Sequence, residues 1–313
     1  MKDIKIIDGH CDTLTKLLDK SCTLADSANH ISIDKLLKGG LKVQFFAAWI
    51  GVQQLYGSSL QRGIKLIDRY HTMIVENPEL IIPILKCEDI DQLEDKQIGA
   101  LLTVEGGDIL EGDLANLRII HRLGVRLMTL TWNHRNEICD GIMEINSKSG
   151  LSNFGISVVR EMNELNMIID VSHISVQGFW DVIEHSKDPI IASHSNARAL
   201  CHHPRNLDDE QIRAIANTDG LIGINFYPPF LSDSKGSLDD IIRHIDYISG
   251  LVGVDVVGFG SDFDGIDQLP EGINGSQDFP KIIDRLLRLN YLEYDVKKIC
   301  SGNYYRIIKS ILK

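Results

Sequence analysis

Six side chains of metal-binding type recur along this sequence, each just beyond a short apolar run. His10 and Asp12 flank Cys11, Glu105 precedes Gly106-Gly107, His173 follows Ser172, His194 sits between Ser193 and Ser195, and Asp262 opens Asp262-Phe263-Asp264-Gly265. Side chains two apart on an extended chain project to the same side. A His10 nitrogen and an Asp12 oxygen can therefore reach one cation together. Imidazole and carboxylate donors suit zinc, and an incomplete protein shell leaves room for water. A carboxylate has two oxygens and can bridge two cations, and Glu105 is the natural candidate. Two metals about 3.5–4 Å apart can hold a shared hydroxide and polarise a carbonyl. Each piece alone has an ordinary explanation. His and Asp often meet as plain hydrogen-bond partners, Gly ends strands, histidines can be satisfied in a core, and loop carboxylates bind backbone amides. Six such placements together point to a two-metal hydrolase.

Positioning six groups from distant parts of the chain requires a repeating scaffold. Short β-branched runs alternate with amphipathic stretches. Strands are expected at Ile4–Asp8, Val43–Ile50, Ile98–Glu105, Val125–Thr131, Met167–Ser172, Pro189–Ser193, Leu221–Tyr227 and Asp255–Asp262. Several, such as Ile190-Ile191-Ala192, are apolar without alternation, as in parallel strands covered on both faces. Helices are expected at Ser59–Glu76, Asn153–Asn166, Asp208–Asn217, Leu238–Val252 and Phe279–Leu289. Leu80–Leu85 reads as part of a crossover, with a ninth strand as the alternative. Eight strands separated by helices predict an α/β fold, a distorted (β/α)8 TIM-like barrel of the metallo-dependent hydrolase type, as one domain over residues 1–313. An open doubly wound sheet is the second choice. Barrels of this kind carry catalytic groups at the C-terminal ends of their strands, where these six residues fall.

The bulk composition narrows the partners. The 313 residues carry 32 Lys and Arg against 44 Asp and Glu, a net charge of -12. This opposes nucleic acid or an anionic membrane as partner, since both need clustered positive charge. The N-terminal stretch is too short and charged for a signal peptide, no apolar run approaches a membrane span, and the C-terminus carries no lipid-anchor tail. The six cysteines (Cys11, Cys22, Cys87, Cys139, Cys201, Cys300) form no CxxC pair and read as reduced thiols, so the cytoplasm is the expected address.

Asp8-Gly9-His10-Cys11-Asp12, Val104-Glu105-Gly106-Gly107, Asp170-Val171-Ser172-His173, Ser193-His194-Ser195, His203-Pro204-Arg205-Asn206 and Gly260-Ser261-Asp262-Phe263-Asp264-Gly265 occur in this order. Together they resemble the membrane (renal) dipeptidase family of zinc peptidases, over essentially the whole chain. Gly302-Asn303 also resembles that family's terminal helix. The resemblance implies two Zn2+ per chain, with His10 and Asp12 on one ion, His173 and His194 on the other, and Glu105 bridging. It implies Asp262 as acid/base in contact with substrate, Arg205 as the partner of a dipeptide's terminal carboxylate, a bacterial-type member without membrane attachment, and a homodimer. A planar guanidinium forks onto a carboxylate, which suits Arg to that task. Its bland alternative is a surface ion pair.

Three positions depart from the family pattern. Cys11 stands where Asn is usual and should point away from the metals. Trp132 occupies the nearest match to a substrate-orienting His, with His134 two residues on as a candidate substrate-binding replacement. Phe230 takes the place of a further Tyr found in some members.

The expected activity is dipeptide hydrolysis by metal-activated water, with D-residues tolerated at the C-terminus. One alternative is a different binuclear amidohydrolase-like enzyme acting on cyclic amides, lactones or phosphoesters. Many of those use a modified Lys as the bridge on the fourth strand, and no Lys lies between Val125 and Thr131. A non-catalytic metal-binding barrel is the other alternative, against which Asp262 and Arg205 argue, since neither is needed to hold zinc.

Overall fold

Runs of Ile, Val and Leu too short for helices become nine parallel strands in the computed structural model, which describes residues 4–20, 22–26, 28–51 and 58–313. They are β1 (Ile6–Asp8), β2 (Leu41–Trp49), β3 (Ile81–Pro83), β4 (Ile98–Glu105), β5 (Leu127–Thr129), β6 (Ile168–Asp170), β7 (Ile190–Ala192), β8 (Leu221–Ile224) and β9 (Val257–Phe259). The sheet runs β2-β1-β9-β8-β7-β6-β5-β4-β3, and a further pairing of β2 with β4 closes it. The result is a closed eight-stranded parallel barrel surrounded by helices, as expected.

The ninth strand was the alternative reading of Leu80–Leu85. β3 lies outside the ring. Because β2 occupies one edge of β4 from Gly99 to Glu105, the other edge is shared: β3 pairs with Ile98–Ala100 and β5 with Thr103–Glu105. Most strands are also shorter than expected. The apolar ends of Val125–Thr131 and Leu221–Tyr227 continue as buried loop rather than as ladder. The start of Asp255–Asp262 is a 3-10 turn, Val254–Val256.

Helices Ser59–Glu76 and Leu238–Val252 match their expected spans. Asp208 is the N-cap of helix Asp209–Asn217, its side chain accepting from Gln211 N and that of Gln211 returning the bond. Helix Asn153–Glu164 stops short of Asn166, whose φ of 53° is left-handed.

Strand alternation sorts the apolar residues into two layers. Phe46, Ala48, Ala100, Leu102 and Val104 pack outward against the helices. Ile7, Val43, Phe45, Leu101, Leu127, Ile168, Ile191 and Leu221 pack with Tyr304 of the terminal helix Asn303–Ile311. Tyr304 fills the lumen: a Cβ on Gly9 would lie 1.7 Å from its hydroxyl and one on Gly258 2.7 Å from its ring. The same alternation carries β4 from Leu101 through Thr103 to Glu105, delivering that carboxylate inward at the top of the barrel. All six cysteines are unpaired.

Candidate active site

At the C-terminal mouth the structure brings His10, Asp12, Glu105, His173, His194 and Asp262 together. Glu105 stands at the centre. Its Oε2 faces His10 Nε2 at 3.6 Å, and its Oε1 faces His173 Nε2 at 3.0 Å and His194 Nε2 at 3.5 Å. His10 Nε2 lies 3.4 Å from Asp12 Oδ2 and 4.0 Å from Asp262 Oδ1. His173 and His194 bring their Nε2 atoms to 2.8 Å of each other. β1 itself ends at Asp8. Cys11 makes an isolated bridge to Phe263, and Asp12 begins the helix Thr13–Asp19. Cys11 points into the outer core, as expected, its sulfur 3.4 Å from Thr13 Oγ1. Burial pushes the thiol well above its usual range, so it stays protonated.

Groups behind the cluster fix its orientation. His173 Nδ1–H donates to Asn133 Oδ1 at 2.8 Å. His194 Nδ1–H donates to Ser193 Oγ at 2.7 Å, and that hydroxyl donates to Asp170 Oδ2 at 2.6 Å. Asp170 also accepts from Thr129 Oγ1 and from the backbone of Ser172 and Ser193, tying β5, β6 and β7 together below the histidines. Asp8 plays the matching part below His10, accepting from Gln44 and from both the amide and hydroxyl of Ser261. Asn225 Nδ2 donates to Asp262 Oδ2 at 2.9 Å. His173 and Asp262 adopt φ of 69° and 61°, a left-handed backbone that costs energy without glycine and concentrates at functional sites. Asp264 faces elsewhere, accepting from Thr13 Oγ1 and His30 N.

The donors set the protonation pattern. With both Nδ1 atoms donating, His173 and His194 turn bare Nε2 lone pairs toward Glu105 Oε1. Burial, reinforced by the Arg205 charge, lowers His173 to about 4. Burial, then the charges of His10 and Arg205, holds His194 well below its usual value. Burial opposes the ionised form of Glu105, but His10 outweighs it, chiefly through its charge, and keeps the carboxyl below the usual range. His10 is shifted upward by Glu105 and Asp12 against the effect of its own burial. Asp262 is raised to about 8, first by burial; His10 opposes this, and the charges of Asp12 and Glu105 add to it.

This donor set fits metal ions. Two imidazole nitrogens and a carboxylate oxygen converge within 3.5 Å, an arrangement that a cation stabilises. On the other side, His10 Nε2 and Asp12 Oδ1 are buried without a hydrogen-bond partner, a costly state for polar atoms. A cation held there would displace the proton that the carboxylates otherwise favour on His10.

The cluster forms the floor of a cavity of about 590 Å3, whose lining includes Trp49, Trp132, His134, His203, Arg205, Tyr227 and Phe230. Arg205 is buried beside the cluster. Its NH2 donates to His194 O at 3.1 Å, its NH1 lies 3.5 Å from Ser195 Oγ, and its Nε has no partner. Burial lowers it only to about 10, so it remains charged. Phe230 lies beneath the guanidinium at 5.5 Å. His134 lies at the rim, its side chain 60% exposed and outside the cluster, near Glu144 at 3.9 Å. Trp132 tilts against the His173 ring at 6.2 Å. Sequence reasoning gave no role to Asn133, Ser193, Asp170 or Asn225. The adjacency of Ser193 to His194 was a readable signal, whereas Asn133 and Asn225 meet their partners only through the fold.

Among the described residues, no helix is long and apolar enough to cross a membrane. The sequence profile described as "Membrane dipeptidase (Peptidase family M19)" matches residues 1–313. An uncharacterised protein in the pqqA 5' region of Klebsiella pneumoniae is 36% identical over 238 residues, covering 72% of this chain and 88% of that protein. Dipeptidase aclJ of Aspergillus oryzae is 32% identical over 298 residues, covering 90% of this chain and 70% of its own length. Human dipeptidase 3 is 27% identical, and the match spans 66% of the human protein. Among solved structures, a dipeptidase AC, a metallopeptidase of family M19, superposes with a TM-score of 0.92 at 25% identity and covers 99% of both chains. A Rhodobacter sphaeroides metallopeptidase liganded with a phosphinate mimic of L-Ala-D-Ala shares the fold at a TM-score of 0.91 and 24% identity, covering 98% of this chain and 99% of that one. This chain belongs to the membrane dipeptidase family and is a metallodipeptidase.

Proposed function

We propose that the protein hydrolyses dipeptides with two zinc ions, His10 and Asp12 serving one, His173 and His194 the other, and Glu105 both. The observation that carries this reading is the division of Glu105, with one oxygen toward each set of ligands. When bound, such ions lower the pKa of water and stabilise the oxyanion formed from the scissile carbonyl.

The chain's own groups supply the rest. Asp262 Oδ2 is held by Asn225, leaving Oδ1 toward the cluster. As water oxygen bonds to the carbonyl carbon, Asp262 accepts the water proton. It returns that proton to the amine nitrogen as the C–N bond breaks, giving two amino acids. A carboxyl whose buried setting raises its pKa is suited to passing a proton both ways near neutrality. Arg205 lines the cavity, keeps a buried Nε without a partner, and captures the terminal carboxylate. That requirement selects dipeptides over longer chains. His134, at the rim, meets the substrate rather than the metals. The proposed substrates include dipeptides with a D-residue at the C-terminus, to be compared with their L-counterparts in the same turnover assay.

Metal content measured alongside dipeptide turnover, before and after chelation, tests the reading. Chelation should abolish turnover and zinc should restore it. Turnover that persists without metal, or hydrolysis confined to lactones and phosphotriesters, contradicts it.

A further inference from the structure

The cavity lining falls into two aromatic groups. One surrounds Arg205: the His203 and Phe230 rings lie 4.4 Å apart, and those of Tyr227 and Phe230 4.9 Å. The other lies over Glu105. Trp49 ends β2 in register with Glu105 of β4, and Thr129 of β5 is in register on the other edge. Trp132 follows β5 closely, so the two tryptophans rise on either side of β4. Their rings meet edge to face at 5.4 Å. The chain between them continues from Glu105 as Gly106-Gly107, with no side chain to hold them apart. A Cβ on Gly107 would lie 2.6 Å from the Leu130 carbonyl, so bulk is excluded there. Trp132 also packs on His173 at 6.2 Å and on His134 at 6.0 Å.

We propose that Trp49 and Trp132 form a subsite for the side chain of the substrate's N-terminal residue, giving the enzyme a preference for dipeptides with a bulky apolar residue there. The inference rests on the dipeptidase reading and on Arg205 as the carboxylate anchor. With the C-terminal carboxylate on Arg205, the C-terminal residue lies among His203, Tyr227 and Phe230. The N-terminal residue is left with the tryptophan end. Rigid indole faces offer large apolar area at little conformational cost. A pocket of this kind discriminates by about tenfold or more between side chains that fill it and those that do not.

The test measures kcat/KM, per bound metal, for Gly-Ala, Leu-Ala and Phe-Ala and for Ala-Gly, Ala-Leu and Ala-Phe. Zinc-loaded wild type, Trp132→Ala and Trp132→Phe are compared. Wild type should favour Phe-Ala over Gly-Ala by about tenfold or more. Trp132→Ala should erase most of that ratio, Trp132→Phe should keep most of it, and the ranking of the Ala-X series should hardly move. A flat X-Ala ranking in wild type, an undiminished ratio in Trp132→Ala, or equal changes in both series overturns the subsite. Failure of metal-loaded wild type to cleave any of the six would instead overturn the dipeptidase reading.

Discussion

Glu105 divides its carboxylate between His10, 3.6 Å from Oε2, and His173, 3.0 Å from Oε1. The two oxygens of this one carboxylate thus face different histidines. Glu105→Gln keeps the shape but removes the charge and turns one oxygen into a donor. The zinc content should fall below two per chain, and turnover should drop by about 100-fold or more, as when a group central to transition-state stabilisation is lost. Full metal content with near-normal turnover would rule out a bridging role.

Asp262→Asn tests proton transfer separately from metal binding. The amide can still pair with Asn225 but cannot accept a proton. Turnover should fall by about 100- to 10,000-fold with metal content unchanged. Retained turnover would remove Asp262 from the acid/base role, and lost metal would make it a ligand instead.

Arg205→Ala should raise KM for free dipeptides and lower kcat/KM by about 10- to 100-fold, the scale of one charge-assisted contact of about 1.5–3 kcal/mol. Dipeptide esters, which lack the carboxylate, should lose much less. Equal losses on both substrates would mean that Arg205 supports the fold of the site rather than the substrate.

Ser193→Ala breaks the chain of hydrogen bonds from His194 through the hydroxyl to Asp170. Zinc affinity, measured by competition with a chelator, should weaken by about 10- to 100-fold, as for other partners of metal-binding histidines. Unchanged affinity would show that the relay does not orient the imidazole.

His244 gives a pH dependence away from the candidate metal site. Its Nδ1 accepts from Ala197 N at 3.1 Å, and its Nε2–H donates to Leu231 O at 3.0 Å. Burial, with a smaller push from Arg243, lowers it to about 4 from an ordinary 6.5, against the pull of Leu231 O and of Asp240. The unfolded chain therefore binds the proton first. The stabilisation is present above about pH 6.5 and is lost as pH falls toward 4. Denaturant midpoints of His244→Phe should be lower at pH 7 and should decline less between those values than wild type. An equal slope would mean that another group carries the acid sensitivity.

Much of the clustering was legible in the sequence because the candidate ligand residues sit where local patterns end. His10 and Asp12 are two apart, and Glu105 lies at inward parity with Leu101 and Thr103 on β4. The rest depends on residues that meet only after folding. Asn133 reaches His173, Asn225 reaches Asp262, and Tyr304 rises into the lumen past Gly9 and Gly258, across separations no periodicity records. Strand lengths were overestimated for a related reason. Apolar residues such as Leu130 and Phe226 are buried within loops, and burial alone does not distinguish loop from ladder. Because β4 shares one edge between β3 and β5, the status of Leu80–Leu85 turned on pairing rather than composition.

The most direct test is anomalous scattering from crystals of the zinc-loaded enzyme. Two zinc peaks about 3.5–4 Å apart, each in contact with a different Glu105 oxygen, are the expected result. A single peak, or two peaks with Glu105 touching only one, would contradict the account.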